Sequence, residues 1–169
     1  MENHGKYGEF IYTHTDDELY VNLFVASQLN WKEKKFVIKQ ETNFPSEETV
    51  RLTIDSRKAQ TLKIKIRCPW WVKPGEMKVI CKGKDYAVGA QPSSYIEIER
   101  RWKKGDVIEV TMPMTITVEE LPNLPNYIAI MRGPILMGAR MGDYRLDGLV
   151  ANDGRWAHIA HGPLVSLFD

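Results

Sequence analysis

The stretch Leu62-Lys63-Ile64-Lys65-Ile66-Arg67 puts every apolar residue at one parity and every cation at the other. Successive side chains of a strand point to opposite faces, so this text buries one face and turns the other to solvent. A helical period of 3.6 would smear the cations around the axis instead. The stretch therefore predicts a strand of an antiparallel sheet with one wet side.

Similar text recurs along the chain. Leu19, Val21, Leu23 and Val25 alternate with Tyr20, Asn22, Phe24 and Ala26, which predicts a strand covered in part on both faces. A loop is expected through Asn30-Trp31-Lys32-Glu33, then strands at 36–42, 50–54 and 77–81. Lys82-Gly83-Lys84-Asp85 reads as a hairpin turn. Tyr95–Glu99 and Val107–Val110 read as a second hairpin turning through Trp102-Lys103-Lys104-Gly105-Asp106. Met114–Val118 and Tyr127–Met131 continue the pattern, with Leu121-Pro122-Asn123-Leu124-Pro125 as a loop. Short strands with turn signals every ten residues or so, and no long helical pattern between them, predict an all-β sandwich or barrel. Before the strands, Tyr7, Phe10 and Ile11 fall at helical spacing and predict a short N-terminal helix, which Gly5 and Gly8 weaken.

A chain of 169 residues, 43% hydrophobic, buries a real core without disulfides or metal. Its 23 basic and 22 acidic residues leave a net charge of +1, so no global field draws in nucleic acid. Met1–Lys6 contain no apolar signal core, and no apolar run approaches the roughly 18 residues that span a bilayer. A soluble protein is expected, with its compartment open, because a signal can lie on a longer parent chain. Cys68 and Cys81 fall near the ends of neighbouring predicted strands, where a disulfide is geometrically open to them; two free thiols in or near the core is the commoner arrangement. After Gly138 the pattern thins, and Pro163–Asp169 stops while still apolar, as a cut chain would.

Little in the residues carries chemistry. His158 and His161 share a spacing that can hold a metal, but no third ligand beyond Asp153 and Asp169 is near in sequence, so no metal is expected. Glycoside cleavage needs paired carboxylates. Glu97 and Glu99 alternate with Ile96 and Ile98 and read as a solvated sheet face, and Glu119-Glu120 sits beside a loop. There is no Gly-x-Ser-x-Gly elbow and no phosphate-binding glycine loop. Trp70-Trp71 directly follows a strand; indole faces can stack on sugar rings, or one ring can cap the core while the other stays partly exposed.

Several stretches, in order, resemble one family. They are Leu19–Phe24, Ser27–Trp31, Gln40–Pro45, Thr49–Thr53, Leu62–Trp71, Tyr95-Ile96 with Arg101–Asp106, Pro113-Met114 and Ile130–Ile135. The chain is similar over nearly its whole length to the C-terminal β-sandwich region of the β-L-arabinofuranosidase-like glycosidases, glycoside hydrolase family 127 and its bacterial relatives. The resemblance implies an upstream (α/α)6 barrel holding a zinc-bound cysteine nucleophile and a glutamate acid/base. Met1–Glu9 would follow that cysteine closely, which puts the catalytic residues outside this chain and leaves Glu2, Asn3 and His4 nearest the parent active site. Cys68 and Cys81 match no ligand of the family.

The expected fold is an all-β, antiparallel, jelly-roll-like sandwich with a short N-terminal helix. Residues 1–15 would be a remnant of the last barrel helix, 16–138 the sandwich, and 139–169 the truncated, irregular start of a further segment. The expected function is a non-catalytic module of a glycosidase, with no metal or cofactor of its own and the barrel as partner. The alternative is a carbohydrate-binding module using Trp70 and Trp71, with an oligosaccharide as partner. Neither nucleic acid nor membrane is expected as a partner. Exposed apolar residues at both ends also predict self-association.

Overall fold

The computed structural model describes residues 3–138. The chain divides into two units, Met1–Leu136 and Met137–Asp169, and the described fold is that of the first. It is all-β apart from one helix, α1 (Asn3–Phe10). Thirteen strands follow among the described residues: β1 (Tyr12–His14), β2 (Glu18–Val21), β3 (Ser27–Trp31), β4 (Phe36–Thr42), β5 (Thr49–Ile54), β6 (Gln60–Cys68), β7 (Lys78–Cys81), β8 (Lys84–Asp85), β9 (Ser94–Trp102), β10 (Val107–Thr111), β11 (Ile116–Leu121), β12 (Leu124–Arg132) and β13 (Ile135–Leu136). Among them no helix is long and apolar enough to cross a membrane.

Two sheets share one core. The first has the order β1-β2-β6-β9 and the second β3-β4-β5-β10-β7-β8. Alternation decides which side chains enter. Leu62, Ile64 and Ile66 of β6 and Ile96, Ile98 and Trp102 of β9 are buried from one sheet; Phe36 and Ile38 of β4, Leu52 and Ile54 of β5, and Ile108 and Val110 of β10 are buried from the other. Register keeps like with like: Ile64 lies opposite Ile98, and Ile66 opposite Ile96. All pairings are antiparallel except β2 with β6, which run parallel with Tyr20 beside Lys65. The turn between β7 and β8 is Lys82-Gly83, both at positive φ (51° and 77°), the two-residue turn that matches strand twist.

The structure departs from the sequence reading in five places. Tyr95–Val110 is not a hairpin: β9 pairs with β6 in one sheet, while β10 pairs with β5 and β7 in the other. The chain crosses between sheets at Trp102–Asp106 because the Trp102 ring drops into the core and donates its Nε1–H to the Leu62 carbonyl at 3.0 Å. Asn30 and Trp31 end strand β3, with Trp31 buried against the core, so the loop begins only at Lys32. The alternation from Leu19 stops at Val21, since the Leu23 and Val25 carbonyls accept bonds from the buried Gln40 amide at 3.1 and 2.6 Å instead of from a neighbouring strand. Leu121–Leu124 is a tight hairpin rather than a loop, with Asn123 at φ 64°. Finally, β11, β12 and β13 form a third sheet that joins neither sheet of the sandwich. The two cysteines are free, both buried, and lie on opposite sheets.

Candidate functional site

The segment after β6 makes a turn, in which the Val72 N–H reaches the Pro69 carbonyl at 3.3 Å and the Val72 side chain is buried. That turn leaves Trp70 exposed and packs Trp71 against the core. Trp71 stacks on Phe44, rings 6.0 Å apart and 15° from parallel, and Phe44 meets Phe24 edge-on at 6.1 Å. Trp71 thus closes the end of the core, and Trp70 is 58% exposed. Both line a shallow hollow of about 270 Å³, whose polar rim includes Asn22 and Arg67. One face of Trp71 is covered by Phe44, so only its other face is left for a ligand. Of the other candidate residues, Asn3 and His4 open α1, while Glu2, Trp156, His158 and His161 lie outside the described residues.

The outer face of the first sheet carries a polar cluster. Lys65 stands between Glu18 and Glu97, with Nζ–carboxylate distances of 3.1 and 3.0 Å, and Lys63 reaches the same two groups at 3.5 and 3.4 Å. Tyr20 donates its hydroxyl to Glu18 at 2.6 Å and accepts from Lys65 at 3.2 Å. The Tyr95 ring abuts Tyr20 edge-on, and its hydroxyl donates to Asn22 at 2.8 Å. Lys65 is therefore not a solvent residue; only 15% of its side chain is exposed.

This geometry biases charge in one direction. The Tyr20 hydroxyl and Lys65 hold the Glu18 carboxyl below its ordinary range, and Lys65 with Lys63 does the same to Glu97. Hydrogen bonds to Glu97, Glu18 and Tyr20 push the Lys65 ammonium upward. Glu41 and Asp55 are lowered by Lys39 and Lys104. At Asp106, burial acts to raise the pKa, but bonds from Lys82 and the Lys103 N–H, with Arg100 nearby, bring it below the ordinary value. A glycosidase proton donor needs the opposite shift. Burial raises the Cys68 thiol, again the opposite of an activated nucleophile. Among the described residues no three His, Cys, Asp or Glu side chains gather as a metal site, and the Cys81 sulfur takes a bond from Arg100 at 3.1 Å. The buried, separated thiols do not fit a zinc–thiolate centre.

Comparison with known proteins gives a consistent placement. The family model for the β-L-arabinofuranosidase GH127 middle domain matches residues 18–114, and a domain of unknown function, DUF4986, matches residues 117–169. The boundary falls where the chain leaves the two-sheet core for the third sheet. Among solved structures, one described as a glycoside hydrolase is 33% identical, over 74% of this chain and 22% of its own length, with a TM-score of 0.63. A GH127 β-L-arabinofuranosidase from Geobacillus stearothermophilus T6 is 30% identical, over 76% of this chain and 21% of its own length, with a TM-score of 0.63. A GH127 β-arabinofuranosidase is 28% identical, over 75% and 23%, with a TM-score of 0.64. The chain spans about a fifth of the length of these relatives. No curated protein matches it.

Proposed function

We propose that this chain, which belongs to the GH127 β-L-arabinofuranosidase middle-domain family, is a non-catalytic sandwich module that supports the catalytic barrel of a glycoside hydrolase. One observation carries this reading. The family model that matches is that of a middle domain, and the chain spans about a fifth of the length of the glycosidases it resembles; the five described carboxylates with a displaced pKa are all lowered, the opposite of what a sugar-protonating acid needs. The chain, incubated with an aryl β-L-arabinofuranoside, is expected to match a buffer blank. Turnover that disappears in Glu97→Gln or Cys68→Ala would overturn the reading. Mixing the chain with a barrel of the same family is expected to raise the barrel's melting temperature.

A second reading, sugar binding on the tryptophans, is favoured by the exposure of Trp70 beside Arg67 and Asn22. It predicts that Trp70→Ala abolishes binding of a neutral arabino-oligosaccharide at unchanged stability. Trp71→Ala should instead lower stability, by removing the stack on Phe44.

A further inference from the structure

A broad concavity of the described fold lies at the opposite parity of the second sheet from the core. It is an open groove of about 840 Å³, lined by the outward side chains of β3 and β4 and by three turns. Those turns bring six cations to it: Lys32, Lys34 and Lys35 before β4, Arg57 and Lys58 before β6, and Lys104 before β10. Asp55 is the one carboxylate in its wall, and Glu33, in the first of these turns, does not line it. Of the chain's 23 basic and 22 acidic residues, six and one stand in the groove, which leaves 17 and 21 elsewhere. About a quarter of the basic residues of a nearly neutral protein thus meet in one hollow beside a single lining carboxylate, and the remainder of the sequence is net acidic. Such segregation focuses a field on an anion.

The walls are fixed rather than frayed. The Val37 N–H donates to Ser56 Oγ at 2.8 Å and the Asp55 N–H to the Val37 carbonyl at 2.9 Å, which ties the second turn to β4. The Gly105 N–H bonds the Ile54 carbonyl at 2.8 Å, which ties the third to β5. Lys104 is held by Asp55 at 2.8 Å and Lys34 by Asp17 at 2.7 Å. Lys32, Lys35, Arg57 and Lys58 pair with no carboxylate among the described residues. Between the cations stand three carboxamides, Gln28, Asn30 and Gln60, and no aromatic ring lines the groove. Carboxamides donate to and accept from hydroxyl groups, and unpaired cations bind carboxylates. Single-stranded nucleic acid would call for aromatic stacking surfaces that this wall lacks.

We infer that this groove binds an acidic oligosaccharide, a hydroxyl-rich sugar chain bearing carboxylates. The inference is independent of whether the module supports a barrel. Calorimetric titration of the full chain with a short uronic-acid oligosaccharide at low salt tests it. Binding is expected to weaken by about tenfold or more in the Arg57→Ser, Lys58→Ser double variant, and to weaken again as salt rises from about 50 to about 200 mM. Trp70→Ala is expected to leave it unchanged, and a neutral oligosaccharide of equal length is expected not to bind this groove. The inference is overturned by no binding of the uronic-acid chain, by binding that the double variant leaves intact, by equal affinity for inorganic phosphate, or by tighter binding of a single-stranded oligonucleotide.

Discussion

Lys65 has two different neighbours because its strand does: β2 runs parallel on one side and β9 antiparallel on the other. That places Tyr20 and Glu97 directly beside it and lets Glu18 reach across, so one ammonium serves three oxygen partners. Period-two alternation gives the outward direction of Lys65, and the inward direction of Ile64, from six residues of local text. It says nothing of Tyr20, which lies 45 residues away and meets Lys65 only through the sheet. The two positions should therefore behave differently. Ile64→Ala removes a fully buried side chain and is expected to cost roughly 2–5 kcal/mol in chemical denaturation. The contribution of Lys65 should depend on pH. Glu18 and Glu97 have lowered pKa values, so their stabilisation is complete above the ordinary carboxylate range and is lost as pH falls through the lowered values. The raised pKa of Lys65 keeps its contribution intact below the ordinary lysine value, and it is lost only as pH rises through the raised one. The difference in melting temperature between the native chain and Lys65→Met should be widest between about pH 5 and pH 9 and shrink below about pH 4. A difference that persists undiminished into strong acid would assign the effect to packing of the lysine stem.

At the scale of elements, strand existence is legible and strand partnership is not. Nearly every alternating run is a strand, because burial of one face leaves a local trace. The text Trp102-Lys103-Lys104-Gly105-Asp106, by contrast, suits a hairpin and an inter-sheet crossing equally well. What selects the crossing is where Trp102 goes: its ring is fully buried and its N–H meets the Leu62 carbonyl. Gly105, at φ 84°, lets the backbone turn there, and the Asp106 carboxylate accepts the Lys103 N–H at 3.1 Å to close the loop. Trp102→Phe should keep most of the packing but lose the indole hydrogen bond, at a cost of about 0.5–1.5 kcal/mol. Gly105→Ala meets no steric obstacle yet must hold a left-handed backbone, so a loss of roughly 1 kcal/mol is expected. Denaturant midpoints at unchanged slope would register both, and two neutral results would show that the crossing is determined elsewhere. The cationic groove is illegible for the same reason: Lys32–Lys35 and Arg57-Lys58 read as ordinary solvated runs until the sheet order sets their turns side by side.

Across the molecule, the core and the third sheet differ in kind. The shared core runs from Leu19 to Met112, and no described residue after Met112 belongs to it. The third sheet meets the sandwich at a few points. Glu48 accepts the Met114 N–H at 2.9 Å and pairs with Arg132 at 3.6 Å, and Met114 lies against Gly133, where an added Cβ would stand 2.5 Å from its side chain. Beyond those ties most of its large apolar residues are open to solvent, Ile116 at 71% and Tyr127 at 65%, with Val118 and Ile130 facing each other across the hairpin. Monomers seldom leave such a surface uncovered. Two consequences should follow from shortening the chain to residues 1–114. Since the core is complete without the rest, the shortened chain should unfold cooperatively, with the far-ultraviolet spectrum of a β protein. Since the exposed apolar sheet leaves with the deleted residues, the concentration-dependent association expected of the full chain in light scattering should diminish. Val118→Lys together with Ile130→Lys in the full chain should diminish it in the same way without lowering the melting temperature of the sandwich. A shortened chain that unfolds gradually or aggregates more than its parent would show instead that the third sheet completes the core.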